Sequence, residues 1–126
     1  MRVVDTSAWI EWLCGTPAGQ KVGGELPEND RWVVPTIVQY ELARWLTREM
    51  SERAAAATIA FSTQLVVKPL DTELATKAAD YARIHALAMA DSIIYATAME
   101  SGADVLACDA HFASLPNVVY FAKTAS

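Results

Sequence analysis

The chain has 126 residues, of which 53% are hydrophobic, and a formal net charge of -5. This length and apolar content predict a single domain over residues 1–126 with a substantial core. No apolar stretch reaches the roughly 20 residues that a membrane-spanning helix needs, and the first residues read as a strand rather than as a signal peptide. We therefore expect a cytoplasmic protein with no membrane partner. Cys14 and Cys108 cannot form a disulfide scaffold, so we expect both to be reduced and at least half-buried.

Short β-type runs alternate with helical patterns along the chain. This alternation predicts an α/β fold in which helices cover both faces of a parallel sheet. The predicted strands cover residues 2–5, 32–34, 66–69, 104–107 and 118–121. The predicted helices cover residues 7–13, 18–26, 36–50, 52–64, 72–86 and 90–100, with N-caps at Ser51 and Asp71 and a stop at Gly102.

Four carboxylates fall where predicted strands end or predicted helices begin. Asp5 closes the first strand and Asp109 follows the fourth, so parallel strands would place both at the carboxyl edge of the sheet. Glu41 lies early in the helix that Pro35 can start, and Asp91 lies in the first turn of the last predicted helix. Helices that follow parallel strands begin at this same edge. We therefore expect the four side chains to converge.

Carboxylate oxygens are the ligands that Mg²⁺ and Mn²⁺ prefer, and Mg²⁺ needs only one or two of them because it keeps several waters. Such an ion can activate a water for attack on a phosphodiester, and a second ion can neutralise the leaving oxygen. The chain contains no GxSxG, no GK[ST] phosphate loop and no HExxH, and it has two histidines. The sequence thus favours metal-assisted hydrolysis over triad or zinc chemistry.

The net charge of -5 argues against a nucleic-acid partner, because phosphate backbones are bound mainly through Lys and Arg. One or two bound divalent cations would nevertheless make the acidic site itself electropositive. Arg44 and Arg48 follow Glu41 on the same predicted helix and are candidate contacts for nucleic-acid phosphates. A solvated helix face explains each arginine equally well when it is considered alone.

Each acid also has a structural interpretation. Asp5 and Asp91 can cap helices, and Asp109 can be a turn residue ahead of Pro116. Glu41 is harder to explain in this way, because its neighbours are largely apolar and a carboxylate among them needs a partner. Together the four acids favour a metal site.

The histidines and tryptophans receive different interpretations. His111 follows the fourth acid by two residues and is a candidate auxiliary contact for substrate phosphate. His85, at a helix end, is expected to have a structural or surface role. Trp9, Trp12 and Trp45 occur among leucines at helical spacing, which predicts packing in the core or at a protein interface rather than stacking on bases.

Four segments of the chain resemble the motif blocks of PIN-domain ribonucleases. They read VVDTS around Asp5, PTIVQYEL around Glu41, LAMADSIIYATA around Asp91 and VLACDAHF around Asp109. Any one block is weak, but four in this order span nearly the whole chain. Within that family the chain is similar to VapC-type toxins of toxin-antitoxin pairs, which are metal-dependent endoribonucleases.

The resemblance implies a three-layer fold with a five-stranded parallel sheet, Mg²⁺ or Mn²⁺ as cofactor and RNA as substrate. It also implies a homodimer that a small antitoxin protein neutralises. The implied catalytic acids are Asp5, Glu41, Asp91 and Asp109, and the implied metal ligands are the three aspartates. Ser7 matches a position whose hydroxyl can approach the metal or its waters.

Two departures from the family pattern remove oxygen ligands. Ala107 stands where the family commonly has Thr or Ser, and the pair Ala110-His111 replaces an acidic residue that sometimes follows the fourth acid. These changes affect a second ion more than a first, because Asp5 and Asp91 with water still satisfy one Mg²⁺.

Two other functions stay open at this point. A PIN-like domain with an impaired site would act as a dimeric binding module, which Ala107 favours and the intact Asp5, Glu41 and Asp91 oppose. A Mg²⁺-dependent phosphatase with an aspartyl nucleophile would need a second Asp two residues after the first, where this chain has Ser7.

Overall fold

Five short strands form one parallel sheet within residues 1–123, which are the residues that the computed structural model describes. They are β1 (Arg2–Val4), β2 (Trp32–Pro35), β3 (Val66–Lys68), β4 (Asp104–Ala107) and β5 (Val118–Tyr120). Their spatial order is β3-β2-β1-β4-β5. The chain first forms β1, β2 and β3 in spatial sequence and then crosses to the other side of β1, where it forms β4 and β5. The switch point between β1 and β4 is where open α/β sheets place their sites.

Helices occupy the connections between the strands. They are α1 (Thr6–Cys14), α2 (Pro17–Gly23), α3 (Thr36–Glu49), α4 (Glu52–Ser62), α5 (Thr72–His85) and α6 (Met89–Glu100). Two short 3-10 turns cover Asn29–Arg31 and Ala110–Phe112. In residues 1–123, no helix is both long enough and apolar enough to cross a membrane.

Every predicted strand and helix is present, which confirms the α/β fold with a five-stranded parallel sheet. Ser51 and Asp71 accept hydrogen bonds from backbone N–H groups three residues later and are N-caps, as predicted. Gly102 has a left-handed φ of 62° just after α6, which suits a glycine at a helix stop. The largest boundary difference is α2, which ends at Gly23 instead of residue 26 because two successive glycines favour leaving the helix.

The core lies between the sheet and the helices on both of its faces. The central strands β1, β2 and β4 are almost entirely buried, and α6 is buried continuously from Ser92 to Ala98. A helix that is buried on most of its circumference needs apolar or small residues all round, and α6 has them. Because α6 is fixed in this way, its first turn is a rigid support for side chains at the carboxyl edge of the sheet.

The two cysteines differ in burial. Cys108 is buried and both thiols are free, as predicted, but the prediction that Cys14 is at least half-buried was wrong because it is exposed. The buried face of α1 consists of Ala8 and Trp9, and Cys14 lies beyond it as the last residue of the helix. Gly15 then ends the helix in a left-handed conformation with a φ of 67°.

Candidate metal centre

Asp5 joins β1 to α1 at the carboxyl edge of the sheet. Its N–H donates to the carbonyl of Leu106 at 2.8 Å, which continues the pairing of β1 with β4 beyond the strand. Its carboxylate caps α1 by accepting hydrogen bonds from the N–H and the hydroxyl of Ser7. The residue is 3% exposed. Asp5 is therefore a helix cap and also a buried acid at the switch point, so the two interpretations of this residue are compatible.

Ser7 holds the ends of β1 and β4 together. Its hydroxyl donates to Asp5 and accepts from the N–H of Cys108 at 2.9 Å. The hydroxyl proton is thus committed to the carboxylate, which gives Ser7 a positioning role in this structure. A contact of Ser7 with a metal or its waters stays a prediction.

Glu41 lies in the first half of α3 and is half-buried. Its Oε1 accepts a hydrogen bond of 2.7 Å from the hydroxyl of Thr6. The partner that this carboxylate requires is therefore a hydroxyl at the start of α1. Thr6 is absent from the predicted site, although its position beside Asp5 was a signal. Successive helical residues point about 100° apart, so Thr6 and Ser7 reach different acids.

Asp91, Asp109 and His111 form a compact group of possible metal ligands. The Nδ1 atom of His111 lies 3.3 Å from Oδ2 of Asp91 and 3.2 Å from Oδ1 of Asp109. One ligand atom from each residue lies within 4.8 Å of the other two, and residues 1–123 contain no second group of three His, Cys, Asp or Glu side chains that meets this limit. The structure therefore brings two of the predicted metal ligands together with the predicted auxiliary histidine.

Burial raises the pKa of Asp5 from 3.8 to about 7. The hydrogen bonds from Ser7 oppose this rise, whereas the negative charges of Asp91 and Glu41 add to it. The two acids act on Asp5 through space, which shows that all three belong to one electrostatic neighbourhood. A cation among them would favour the ionised form of Asp5.

The pKa of Asp91 is also raised, chiefly by burial and next by the negative charge of Asp109. Glu41 contributes in the same direction, and the neighbouring His111 opposes it. Asp91 thus interacts electrostatically with each of the other three predicted acids, although the oxygens of Asp5 and Glu41 are not part of the 4.8 Å group. The four converge on one edge, and Asp91 and Asp109 lie within 4.8 Å of each other.

These acids have His111 as a neighbour but no Lys or Arg partner among the described residues. Within residues 1–123, no Lys or Arg forms a salt bridge with Asp5, Glu41, Asp91 or Asp109. Asp104 at the amino edge shows the contrast, because Arg2 contacts it at 2.8 Å and lowers its pKa. Carboxylates that no Lys or Arg neutralises suit a hard divalent cation such as Mg²⁺ or Mn²⁺.

A groove of about 310 Å³ extends from Glu41 along α3. Its lining includes Ile10, Tyr40, Arg44, Trp45 and Arg48. Both arginines are exposed, and Tyr40 is 60% exposed. Arg48 pairs with Glu49 at 2.9 Å, but both side chains are about half exposed and such surface pairs contribute little. Cationic groups are thus available beside the acidic site.

The tryptophans divide between the core and the surface. Trp9 is fully buried and contacts the rings of Trp12, Trp32 and Phe61 at centroid distances of 4.8 to 6.1 Å. Trp12 and Trp45 are half-buried. Trp9 therefore belongs to the core and cannot be part of an exposed apolar surface, whereas Trp45 lines the groove beside Glu41.

His85 packs between aromatic rings at the end of α5. It stacks on Tyr81 with centroids 6.1 Å apart and meets the edge of Tyr95 at 5.5 Å. These ring contacts are consistent with the structural role that was predicted for His85.

Comparisons with known proteins bear on the fold and the family. The sequence model of the PIN domain matches residues 2–118. No curated protein gives a significant sequence match. The fold is similar to a toxin-antitoxin complex from Klebsiella pneumoniae, with a TM-score of 0.79 at 18% identity over 94% of this chain and 96% of that chain.

Two further solved structures have the same fold. Mycobacterium tuberculosis VapC20, a sarcin-ricin loop cleaving toxin, gives a TM-score of 0.75 at 23% identity over 94% of this chain and 97% of that chain. DNA-bound VapBC from Salmonella typhimurium gives 0.70 at 18% identity over 98% of each chain. Likeness at these identities shows the fold, and the sequence match over almost the whole chain shows the family: the chain belongs to the PIN-domain family.

Proposed function

We propose that this chain is a metal-dependent endoribonuclease and the toxin of a toxin-antitoxin pair. The observation that carries the proposal is the convergence of four acids at the switch point of the sheet, where none of them has a Lys or Arg partner within residues 1–123. Membership of the PIN-domain family supports a nuclease. The similar structures include toxins and their complexes, which supports the assignment as a toxin. An RNA substrate would place the activity in the cytoplasm.

Asp5, Asp91 and Asp109 would hold Mg²⁺ or Mn²⁺. When bound, a divalent cation supplies an activated water and neutralises the charge that develops on the phosphodiester. Asp5 would bind the cation in its ionised form, and Ser7 favours that form by donating two hydrogen bonds to the carboxylate. Thr6 and Ser7, at the start of α1, would act as positioning residues for Glu41 and Asp5.

Glu41 is the group available to take a proton from the attacking water. Thr6 engages its Oε1, and Oε2 has no hydrogen-bond donor within residues 1–123, so Oε2 can accept the proton. The water oxygen forms a bond to phosphorus as the bond to the 3′ oxygen breaks, the leaving oxygen takes up a proton from solvent, and Glu41 then releases its accepted proton to solvent. The products are a 5′-phosphate and a 3′-hydroxyl.

The phosphatase alternative is less well supported. Ser7 stands where such an enzyme needs a second Asp, and its hydroxyl is committed to Asp5 and Cys108. The impaired binding module is favoured by Ala107, which is buried at the end of β4 and supplies no oxygen ligand. The intact acids oppose it.

One experiment separates these functions. The purified protein is incubated with a single-stranded RNA and with p-nitrophenyl phosphate, each in Mg²⁺, Mn²⁺ or EDTA. We expect cleavage of RNA with either metal, none in EDTA and no hydrolysis of the ester. Hydrolysis of the ester would support the phosphatase, and RNA binding without cleavage would support the binding module.

The groove beside Glu41 is the proposed path of the RNA. Arg44 and Arg48 follow one another by one helical turn along it, so they can contact successive phosphates. Tyr40 adds an exposed ring next to Glu41, and such rings can stack on unpaired bases. A negatively charged protein would thus bind RNA through a local cationic stripe.

Arg44→Ala should raise the KM for RNA about three- to tenfold and leave kcat nearly unchanged, because one exposed phosphate contact is lost. The dependence of KM on salt should also become shallower. Arg31→Ala is the matched control, since Arg31 is exposed and precedes β2 at the opposite edge of the sheet. Equal effects of the two substitutions would show that total charge matters rather than this groove.

We also propose that a small antitoxin protein covers the groove and inhibits the enzyme. Trp45 offers half-buried apolar surface beside the acidic site, and an amphipathic segment with apolar anchors followed by an Arg would complement both. The Arg guanidinium can pair with the site carboxylates and compete with the metal for them. Inhibition would follow from occupancy of the same acids.

Trp45→Ala should weaken the complex with the antitoxin at least about tenfold, because a large aromatic anchor is lost, and should reduce kcat much less. Titration calorimetry and RNA cleavage measure the two effects. Trp12→Ala is less informative, since its ring packs against Trp9 and Trp32 in the core cluster and its removal destabilises the fold. Unchanged affinity of a folded Trp45→Ala protein would place the partner surface elsewhere.

A homodimer is the proposed oligomeric state, as the family resemblance implies. Ile84 near the end of α5 and Met89 at the start of α6 are 59% and 73% exposed and offer apolar surface for such contact. Sedimentation velocity of the purified chain measures the state directly, and a monomer at micromolar concentration would rule the proposal out.

A further inference from the structure

We propose that His111 binds the metal directly through Nδ1, so that the centre is a mixed carboxylate-imidazole site. This inference rests on the proposed function, because it concerns the same metal centre. It extends that function by adding a nitrogen ligand and by predicting which divalent cations the site prefers.

The geometry of three side chains carries the inference. In an octahedral complex with metal-ligand bonds of about 2.1 Å, neighbouring ligand atoms lie about 3.0 Å apart. The Nδ1 atom of His111 lies 3.3 Å from Oδ2 of Asp91 and 3.2 Å from Oδ1 of Asp109. The nitrogen thus has the spacing of an adjacent ligand toward both carboxylates at once.

The orientation of the imidazole is the second observation. The side chain is 71% exposed, yet the same nitrogen faces both acids. The backbone beneath it is fixed, since its N–H donates to Asp109 Oδ1 at 2.9 Å and the next residue, Phe112, is fully buried. A fixed backbone with an accessible ring can close on an ion with little rearrangement.

The local supply of donors also favours nitrogen. Ala107 and Ala110 lie two residues before and one residue after Asp109 and have no ligand atom in their side chains, the thiol of Cys108 is buried, and the hydroxyl proton of Ser7 is committed to Asp5. His111 is the further side chain beside Asp109 that can complete a coordination shell. Imidazole binds Mn²⁺, Co²⁺ and Ni²⁺ better than it binds Mg²⁺. We therefore expect this site to prefer those ions over Mg²⁺.

The same contacts have a second explanation with the opposite consequence. A cationic imidazole between two carboxylates would compete with an incoming metal, and its removal would then tighten metal binding. A ligand role requires removal to weaken binding. The sign of the change in metal affinity therefore decides between the two.

The experiment uses the tag-free full chain at one pH near neutrality. Binding of Mn²⁺ is followed by electron paramagnetic resonance, competition with Ni²⁺ and Mg²⁺ gives their affinities, and pulsed measurements detect coupling of bound Mn²⁺ to nitrogen. His111→Ala is compared with His85→Ala, which removes the other histidine of the chain. RNA cleavage is measured in parallel.

We expect nitrogen coupling in the wild type and in His85→Ala, and none in His111→Ala. The substitution of His111 should weaken Mn²⁺ and Ni²⁺ at least about tenfold and Mg²⁺ much less. Metal-dependent RNA cleavage with no nitrogen coupling, or with tighter Mn²⁺ binding in His111→Ala, would overturn the ligand role and leave the proposed function intact. Absence of both metal binding and cleavage in the wild type would overturn both.

Discussion

Asp5→Asn and Asp91→Asn should each reduce RNA cleavage roughly a thousandfold or more. An amide carries no charge and binds a divalent cation much less well than a carboxylate does. Asp5 is buried and interacts with the charges of Asp91 and Glu41, so the loss of its charge is felt at both other acids. The loss should appear in kcat, because the metal acts on the reacting phosphate.

Asp71→Asn is the control for these substitutions. Asp71 caps α5 through a hydrogen bond of 2.8 Å from the N–H of Leu74, and Asn is an equally good cap. It makes the same chemical change away from the four acids, so cleavage should be retained. Activity within tenfold of the wild type in Asp91→Asn would show that Asp91 is a structural residue and that the metal lies elsewhere.

Asp5→Asn should stabilise the metal-free protein at neutral pH, although it destroys the proposed activity. The unfolded chain ionises Asp5 near pH 3.8, whereas the folded chain holds its pKa at about 7. The protonated carboxyl of Asp5 therefore contributes its full stabilisation of the folded state below pH 3.8, and this contribution is lost as the pH rises through about 7. The loss is on the order of 4 kcal/mol when complete, and a neutral amide avoids it.

Thermal unfolding in EDTA measures this effect. The variant should melt roughly 10 °C above the wild type at pH 8, and the difference should shrink as the pH approaches 4. Added Mn²⁺ should raise the Tm of the wild type far more than that of the variant, because the ion binds the folded state. A lower Tm for the variant at pH 8 would contradict this prediction. It would mean that the hydrogen bonds from Ser7 stabilise the charged carboxylate of Asp5 by more than its burial destabilises it.

Part of this site follows from sequence alone, because it depends on topology. Asp5 and Asp109 stand directly after apolar β-type runs, and the parallel arrangement brings the ends of β1 and β4 to one edge. Asp91 and Glu41 lie early in helices that begin at that edge. The order and direction of the strands and helices were therefore sufficient to predict that the acids converge.

The finer contacts depend on side-chain directions and packing, which the sequence pattern does not encode. The hydrogen bond from Thr6 to Glu41 joins residues 35 positions apart, and the one from the Cys108 N–H to the Ser7 hydroxyl joins residues 101 apart. The inward direction of Nδ1 in His111 depends on a single 3-10 turn. Cys14 was misjudged because the end of a helix can leave its buried face within one turn.

The chemical ends of the RNA products test the central claim most directly. RNA is cleaved with Mn²⁺ in water enriched in oxygen-18, and the fragments are examined by mass spectrometry. Attack by an activated water predicts a 5′-phosphate that carries the heavy oxygen, a 3′-hydroxyl on the other fragment, and no products in EDTA. A 2′,3′-cyclic phosphate with a 5′-hydroxyl, formed equally in EDTA, would contradict the proposed role of the four acids.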